Sequence, residues 1–169
     1  VMVEFPALVL PTIQYSHYPA FLEYPGSVNI SEENSQGMIL DIIESFTRHD
    51  CKNFYVLNTG ISTVRVLKAI KQELYKQAVV FDYTHLGLAL KDVESQLQEQ
   101  EGGTHADEFE TSMMLYMAPE IVRRERAVKD YHVEQKPGPL RRHGPVENGV
   151  YSPTGAWGDP TLASREKGK

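Results

Sequence analysis

Three short runs of apolar residues, Ala7 to Ile13, Phe54 to Leu57 and Ala78 to Phe81, alternate with segments whose apolar residues recur at helical spacing. A run that is apolar at every position fits a strand buried on both faces, and such strands form parallel sheets covered by crossover helices. In the first helical segment Ser31 is a good N-cap, Glu32 and Glu33 suit the positive first turn, and Met38, Ile39, Ile42, Ile43 and Phe46 form one stripe. These residues predict a helix from about Ser35 to His49. After Phe54 to Leu57 the chain turns at Asn58-Thr-Gly60, and Val64, Leu67, Ile70 and Leu74 predict a second helix over Thr63 to Gln77. A weaker helical pattern, Leu88 to Gln100, follows the third run and stops at Gly102-Gly103. The pattern predicts an α/β fold with a mainly parallel central sheet. Ligands are expected beyond the carboxyl ends of its strands, in the loops after Ile13, Leu57 and Phe81.

At 169 residues and 41% hydrophobic, the chain can bury roughly two-thirds of its unfolded surface as a single domain. Residues 1–169 are read as that domain, irregular from about Lys136, where Pro, Gly, Arg and His accumulate. Seventeen Lys and Arg against 23 Asp and Glu give a net charge of −6, which argues against nucleic acid or an anionic membrane as partner. A small-molecule ligand fits better. Cys51 is the one cysteine, so neither an internal disulfide nor a cysteine metal cluster is expected. No apolar run approaches the roughly 18 residues of a membrane span, and the expected location is the cytoplasm. The chain opens at Val1, almost directly before an apolar run, an opening compatible with a fragment of a longer protein.

The chemistry concentrates in Gly102-Gly-Thr-His-Ala-Asp-Glu-Phe-Glu-Thr-Ser-Met-Met-Leu115, where Thr104 and Asp107 fit a capping box that starts a helix. His105 then falls in the first turn, where the helix dipole disfavours imidazolium and leaves a neutral proton acceptor. Glu108 and Ser112 share its face at helical spacing, so Glu108 is the candidate to orient the imidazole and His105 the candidate general acid and base. The simpler alternative has Asp107 capping, Glu108 favouring the dipole and His105 lying on the surface. The apolar stretch Met113 to Met117 fits a core helix or a subunit contact, and Arg123, Arg124 and Arg126 fit its carboxyl end and solvent.

The stretch resembles the His-Ala-Gly-Glu-x-Glu-Thr-Ser motif of the creatinine amidohydrolase (creatininase) family, matched here by His105, Ala106, Glu108, Glu110, Thr111 and Ser112, with Asp107 in place of the glycine. Tyr24-Pro-Gly-Ser27 is similar to the family's Phe-Pro-Gly-Thr turn, and Gly158-Asp-Pro-Thr-Leu-Ala-Ser164 to its Gly-Asp-Pro-Thr-x-Ala-Thr segment. The resemblance implies a three-layer αβα sandwich, two divalent metal ions such as Zn or Mn, and hydrolysis of a C–N bond in a small cyclic or formylated amide. It also implies homo-oligomers, commonly hexamers. Tyr24, Pro25, Gly26, Ser27 and Asn58 become candidate substrate-binding residues, beside His105 and Glu108 as catalytic ones.

The departures concern the metals. The family's early Glu-x-His-Gly-x-His-Leu-Pro-Leu-x-x-Asp segment would stand before Val1, so three ligand positions are expected to be missing from this chain. The family's Asn-Gly-His-x-x-Asn loop is replaced by Asn58-Thr-Gly-Ile-Ser-Thr63, with Gly60 where the histidine should stand and Ser62 where some members place a glutamate. No metal cofactor is therefore expected from this chain's own residues, with Asp82 and His85 the conceivable substitutes beside His105 and Glu108. Two functions stay open: an amidohydrolase of the family's type, and a metal-free descendant that binds a ligand or partner without catalysis.

Overall fold

The computed structural model describes residues 6–132, 138–144 and 147–169. Strands β1 (Asn53–Asn58) and β2 (Val80–His85) pair in parallel, in register from Asn53 opposite Val80 to Asn58 opposite His85. The crossover between them is helix α2 (Thr63–Tyr75), and helix α1 (Glu32–Thr47) precedes β1. Both helices lie where the hydrophobic periodicity puts them. The hydroxyl of Ser31 accepts the Asn34 N–H at 3.2 Å and so caps α1. Ile39 and Ile43 of α1 meet Val66, Leu67, Ile70 and Leu74 of α2 over Phe81, with Phe54, Val56 and Tyr83 packed around them. That cluster is the main core.

The period-2 geometry of the strands sends Phe54, Val56 and Phe81 to the helices and leaves Tyr55, Leu57 and Val80 on an exposed face. Helices therefore cover one face of this sheet among the described residues. The third expected strand, Ala7 to Ile13, does not form: the segment carries no secondary structure, and Leu8 and Val9 are 75% and 87% exposed. A strand needs a ladder partner, and Pro11 supplies no N–H for one. The expected helix Leu88 to Gln100 divides into two short helices, α3 (Leu86–Ala89) and α4 (Lys91–Leu97). Asp107, with its carboxylate accepting the Phe109 and Glu110 N–H groups at 3.0 Å each, caps α5 (Glu108–Met117).

The start of the irregular region at Lys136 lies outside the described residues. Beyond it, the two-residue strands β3 (Leu140–Arg141) and β4 (Val150–Tyr151) pair in parallel. The segment after them docks on α5, where the Ser164 N–H donates to Ser112 Oγ at 3.0 Å and the Lys167 ammonium meets the buried Glu108 carboxylate. On the other side, Glu23 accepts from Arg141 at 3.0 Å and from the Arg142 N–H at 2.8 Å, tying the early loop to the late one.

Ile70 is 1% exposed at the centre of the α1–α2 core. Ile70→Ala is expected to lower stability by about 3 kcal/mol through lost burial and a residual cavity. Urea unfolding should show a lower midpoint with an unchanged slope.

Candidate active site

Positioning of His105 begins with its backbone. His105 and Trp157 form an antiparallel bridge, with the Trp157 N–H donating to the His105 carbonyl at 2.7 Å and the His105 N–H to the Trp157 carbonyl at 3.2 Å. Gly103 makes this approach possible: a Cβ there would come within 2.4 Å of both the Gly158 Cα and the Trp157 carbonyl oxygen. His105 thus precedes the Asp107 cap and does not stand in the first turn of α5, as the sequence pattern suggested. Ala106 between them adopts a left-handed φ of 46°, a conformation unfavourable for alanine by about 1 kcal/mol or more. The kink sets the imidazole off the helix axis.

The carboxylate beside the imidazole belongs to Glu110. Its Oε2 lies 3.5 Å from His105 Nδ1 and accepts the Ala106 N–H at 2.6 Å. Glu108, expected in that role, is fully buried and turned elsewhere: it accepts the Glu99 N–H at 3.1 Å, the Gln100 N–H at 2.8 Å and the Lys167 ammonium. The expected pairing assumed that His105 was helical. With the helix beginning at Glu108, a residue at the other side of the cap meets Glu110. A carboxylate on that side of the ring favours the tautomer with the proton on Nδ1 and leaves Nε2 basic. Burial lowers the His105 pKa below its ordinary value, against the opposing pull of the Glu110 and Asp107 carboxylates. The Phe21 ring, 4.3 Å from the imidazole between centroids, contributes to that desolvation.

His105 lines an open cleft of about 710 Å³ together with Tyr24, Gly26 and Ser27. Tyr24 to Ser27 form a turn in which the Ser27 N–H donates to the Tyr24 carbonyl at 3.1 Å, Pro25 sits second, and Gly26 has a φ of 90°. These are the marks of a type II turn, which needs a residue at positive φ third. The Tyr24 hydroxyl donates to the Ser152 carbonyl at 2.6 Å and fixes the turn against the late loop. Asn58 does not line the cleft; its amide donates to the Gly60 carbonyl at 2.7 Å and accepts from Thr63, closing the turn from β1 into α2. Gly60 nonetheless abuts Tyr18, a cleft residue: a Cβ at Gly60 would stand 3.5 Å from the Tyr18 ring. The arginines 123, 124 and 126 line the cleft as well, and proximity in sequence to α5 gave no sign of it.

Among the described residues no group of three or more His, Cys, Asp and Glu converges as a metal cage would require. Glu108 is ion-paired with Lys167, Asp107 caps α5 and Asp82 pairs with Lys71 at 2.7 Å. His85 accepts the Leu88 N–H at 3.3 Å, and neither it nor Asp82 lines the cleft. These residues do not fit a site for two divalent cations.

Parallel strands joined by a crossover helix, with His105 and a glycine turn lining one cleft, place the chain among α/β proteins. The profile of the creatinine amidohydrolase (creatininase) family matches residues 1–169, and the chain belongs to that family. A crystal structure of creatinine amidohydrolase (creatininase) aligns with a TM-score of 0.74 at 26% identity, covering 96% of this chain and 68% of that one. A creatininase structure designated Mn aligns at 0.73 and 26% identity, covering 95% and 68%. A protein from Bacteroides fragilis NCTC 9343, named for creatinine amidohydrolase, aligns at 0.69 and 21% identity, covering 95% and 64%, and shares the fold. No curated protein matches the chain in sequence.

Because the His105 pKa is lowered in the folded state, the unfolded chain takes up the proton first as pH falls through the ordinary value of about 6.5. Stability should therefore drop from that pH down to the folded pKa and show no further loss from this group below it. Urea unfolding of the wild type and His105→Gln between pH 8 and pH 4 is expected to show the wild type losing more stability over that window. Parallel curves would contradict the assignment.

Proposed function

We propose that the chain is an amidohydrolase that acts on the C–N bond of a small cyclic or formylated amide. Water adds to the carbonyl carbon as His105 Nε2 accepts its proton; the C–N bond then breaks as the same nitrogen returns the proton to the leaving amine. Glu110 holds the Nδ1 proton, in the orienting role that the sequence pattern gave to Glu108. The Tyr24-Pro25-Gly26-Ser27 turn bounds the substrate. The observation that carries the reading is the position of the His105 imidazole at the wall of a ligand-sized cleft, where burial lowers its pKa, in a chain of the creatininase family. The similarity to a structure named creatinine amidohydrolase supports the choice of bond.

A second reading, a protein that binds its ligand without catalysis, is favoured by the donor set around His105, which offers no metal cage to acidify water among the described residues. Turnover of creatinine and of formylated amines by the purified protein decides between the two. The amidohydrolase reading expects measurable hydrolysis that falls by about 100-fold or more in His105→Ala. No turnover, with ligand affinity unchanged in His105→Ala, supports the second. Elemental analysis is expected to find fewer than two metal ions per chain, and two would mean that some ligands come from outside the described residues. We also propose a cytoplasmic homo-oligomer, its association supported by exposed Leu57, Tyr55 and Val80 on the open sheet face; light scattering should give a mass above that of one chain.

A further inference from the structure

The cleft that holds His105 is lined by three arginines, Arg123, Arg124 and Arg126, and by no aspartate or glutamate among the described residues. In a chain of net charge −6, that is a local reversal of sign. Arg124 is held in place by donating to the Ala163 carbonyl at 3.2 Å. Among the described residues no carboxylate stands at ion-pair distance from Arg123 or Arg126. Tyr15, Tyr18, Phe21 and Tyr24 line the same cleft, and aromatic rings offer flat faces and edges to a planar ligand. Guanidinium groups bind carboxylate and phosphate through paired N–H donors, which a neutral ligand cannot match.

We infer that the cleft takes a planar organic anion, with Arg123 and Arg126 binding its carboxylate or phosphate and the aromatic side chains packing on its ring. The inference rests on the cleft being the substrate site and narrows the substrate to an amide that carries a negative charge. A neutral cyclic amide would leave both exposed guanidinium groups to water and gain nothing from their charge. The anion's distance from His105 then sets which carbonyl meets the imidazole, so the arginines would act in orientation as well as affinity.

Calorimetric titration of the whole chain with benzoate, phenyl phosphate and benzamide, at low and at raised salt, tests the inference without any catalytic readout. One of the two anions is expected to bind about tenfold or more tightly than benzamide at low salt, with the advantage shrinking as salt rises. Which anion binds more tightly identifies the charged group. The double variant Arg123→Gln, Arg126→Gln should lose that advantage while benzamide binding stays the same, and Arg123→Lys, Arg126→Lys should keep most of it. Arg65→Gln, which removes a pair with Glu32 away from the cleft, should change nothing. Equal binding of benzoate, phenyl phosphate and benzamide, absence of binding by both anions, or anion binding untouched in the glutamine double variant would each overturn the inference. Hydrolysis by His105 would then still stand or fall on its own assay.

Discussion

The Glu108 carboxylate is wholly buried, and around it the candidate site is assembled. Its oxygens take the N–H groups of Glu99 and Gln100 and the ammonium of Lys167. A buried charge is tolerated only when it is so fully paired, because desolvation of a lone carboxylate outweighs what packing returns. Burial alone would lower the Lys167 pKa, yet Glu108 and Glu99 outweigh it and raise the value. Lys167 therefore keeps its charge at neutral pH, and the contact ties the last residues of the chain to the start of α5. Gln100 extends the same junction: its side chain donates to Asp107 at 2.8 Å and accepts from the Glu108 and Asp159 N–H groups at 3.1 and 3.0 Å. Helix cap, preceding loop and late segment are thereby fixed together, and the Trp157 bridge carries that fixity to His105.

The α1–β1–α2–β2 order was legible because each element satisfies its own periodicity. Ile39 and Ile43 fall on one helical face, Val66, Ile70 and Leu74 on another, and β1 and β2 bury alternate residues against them. Ala7 to Ile13 shows where local pattern fails. Apolar composition states what a segment would bury, whereas a strand also requires a neighbour, which no property of the segment itself supplies.

In the site, a helix start near Asp107 was readable from local rules, although the cap is Asp107 itself and not a box begun by Thr104, whereas the Tyr24-Pro25-Gly26-Ser27 turn was indicated by the family resemblance. The partner of His105 was not readable. Counting three residues on from His105 assumes a helix that includes it, and the left-handed φ of Ala106 with the cap at Asp107 shifts the frame, so that Glu110 meets the imidazole and Glu108 turns inward to Lys167. The 59-residue separation of Glu108 and Lys167 puts that pair beyond any short-range pattern. The same holds for the arginines, which follow α5 in sequence but reach the cleft through the fold.

The same junction limits what the carboxylates near His105 can do. A hard divalent cation needs several anionic oxygens or imidazoles free to converge on one point. Asp107 gives its oxygens to the first turn of α5 and to Gln100, Glu108 to Lys167 and the 99–100 backbone, and Asp130 to Ser152 and Thr154. Glu110 faces the imidazole, and it also accepts the Ala106 N–H. Releasing Glu108 to act as a ligand would strand Lys167, 13% exposed, without its main counter-charge and loosen the segment that holds Trp157 against His105. Glu108 is thus held by its pairing with Lys167 and the 99–100 backbone, and a role as metal ligand would require that pairing to break.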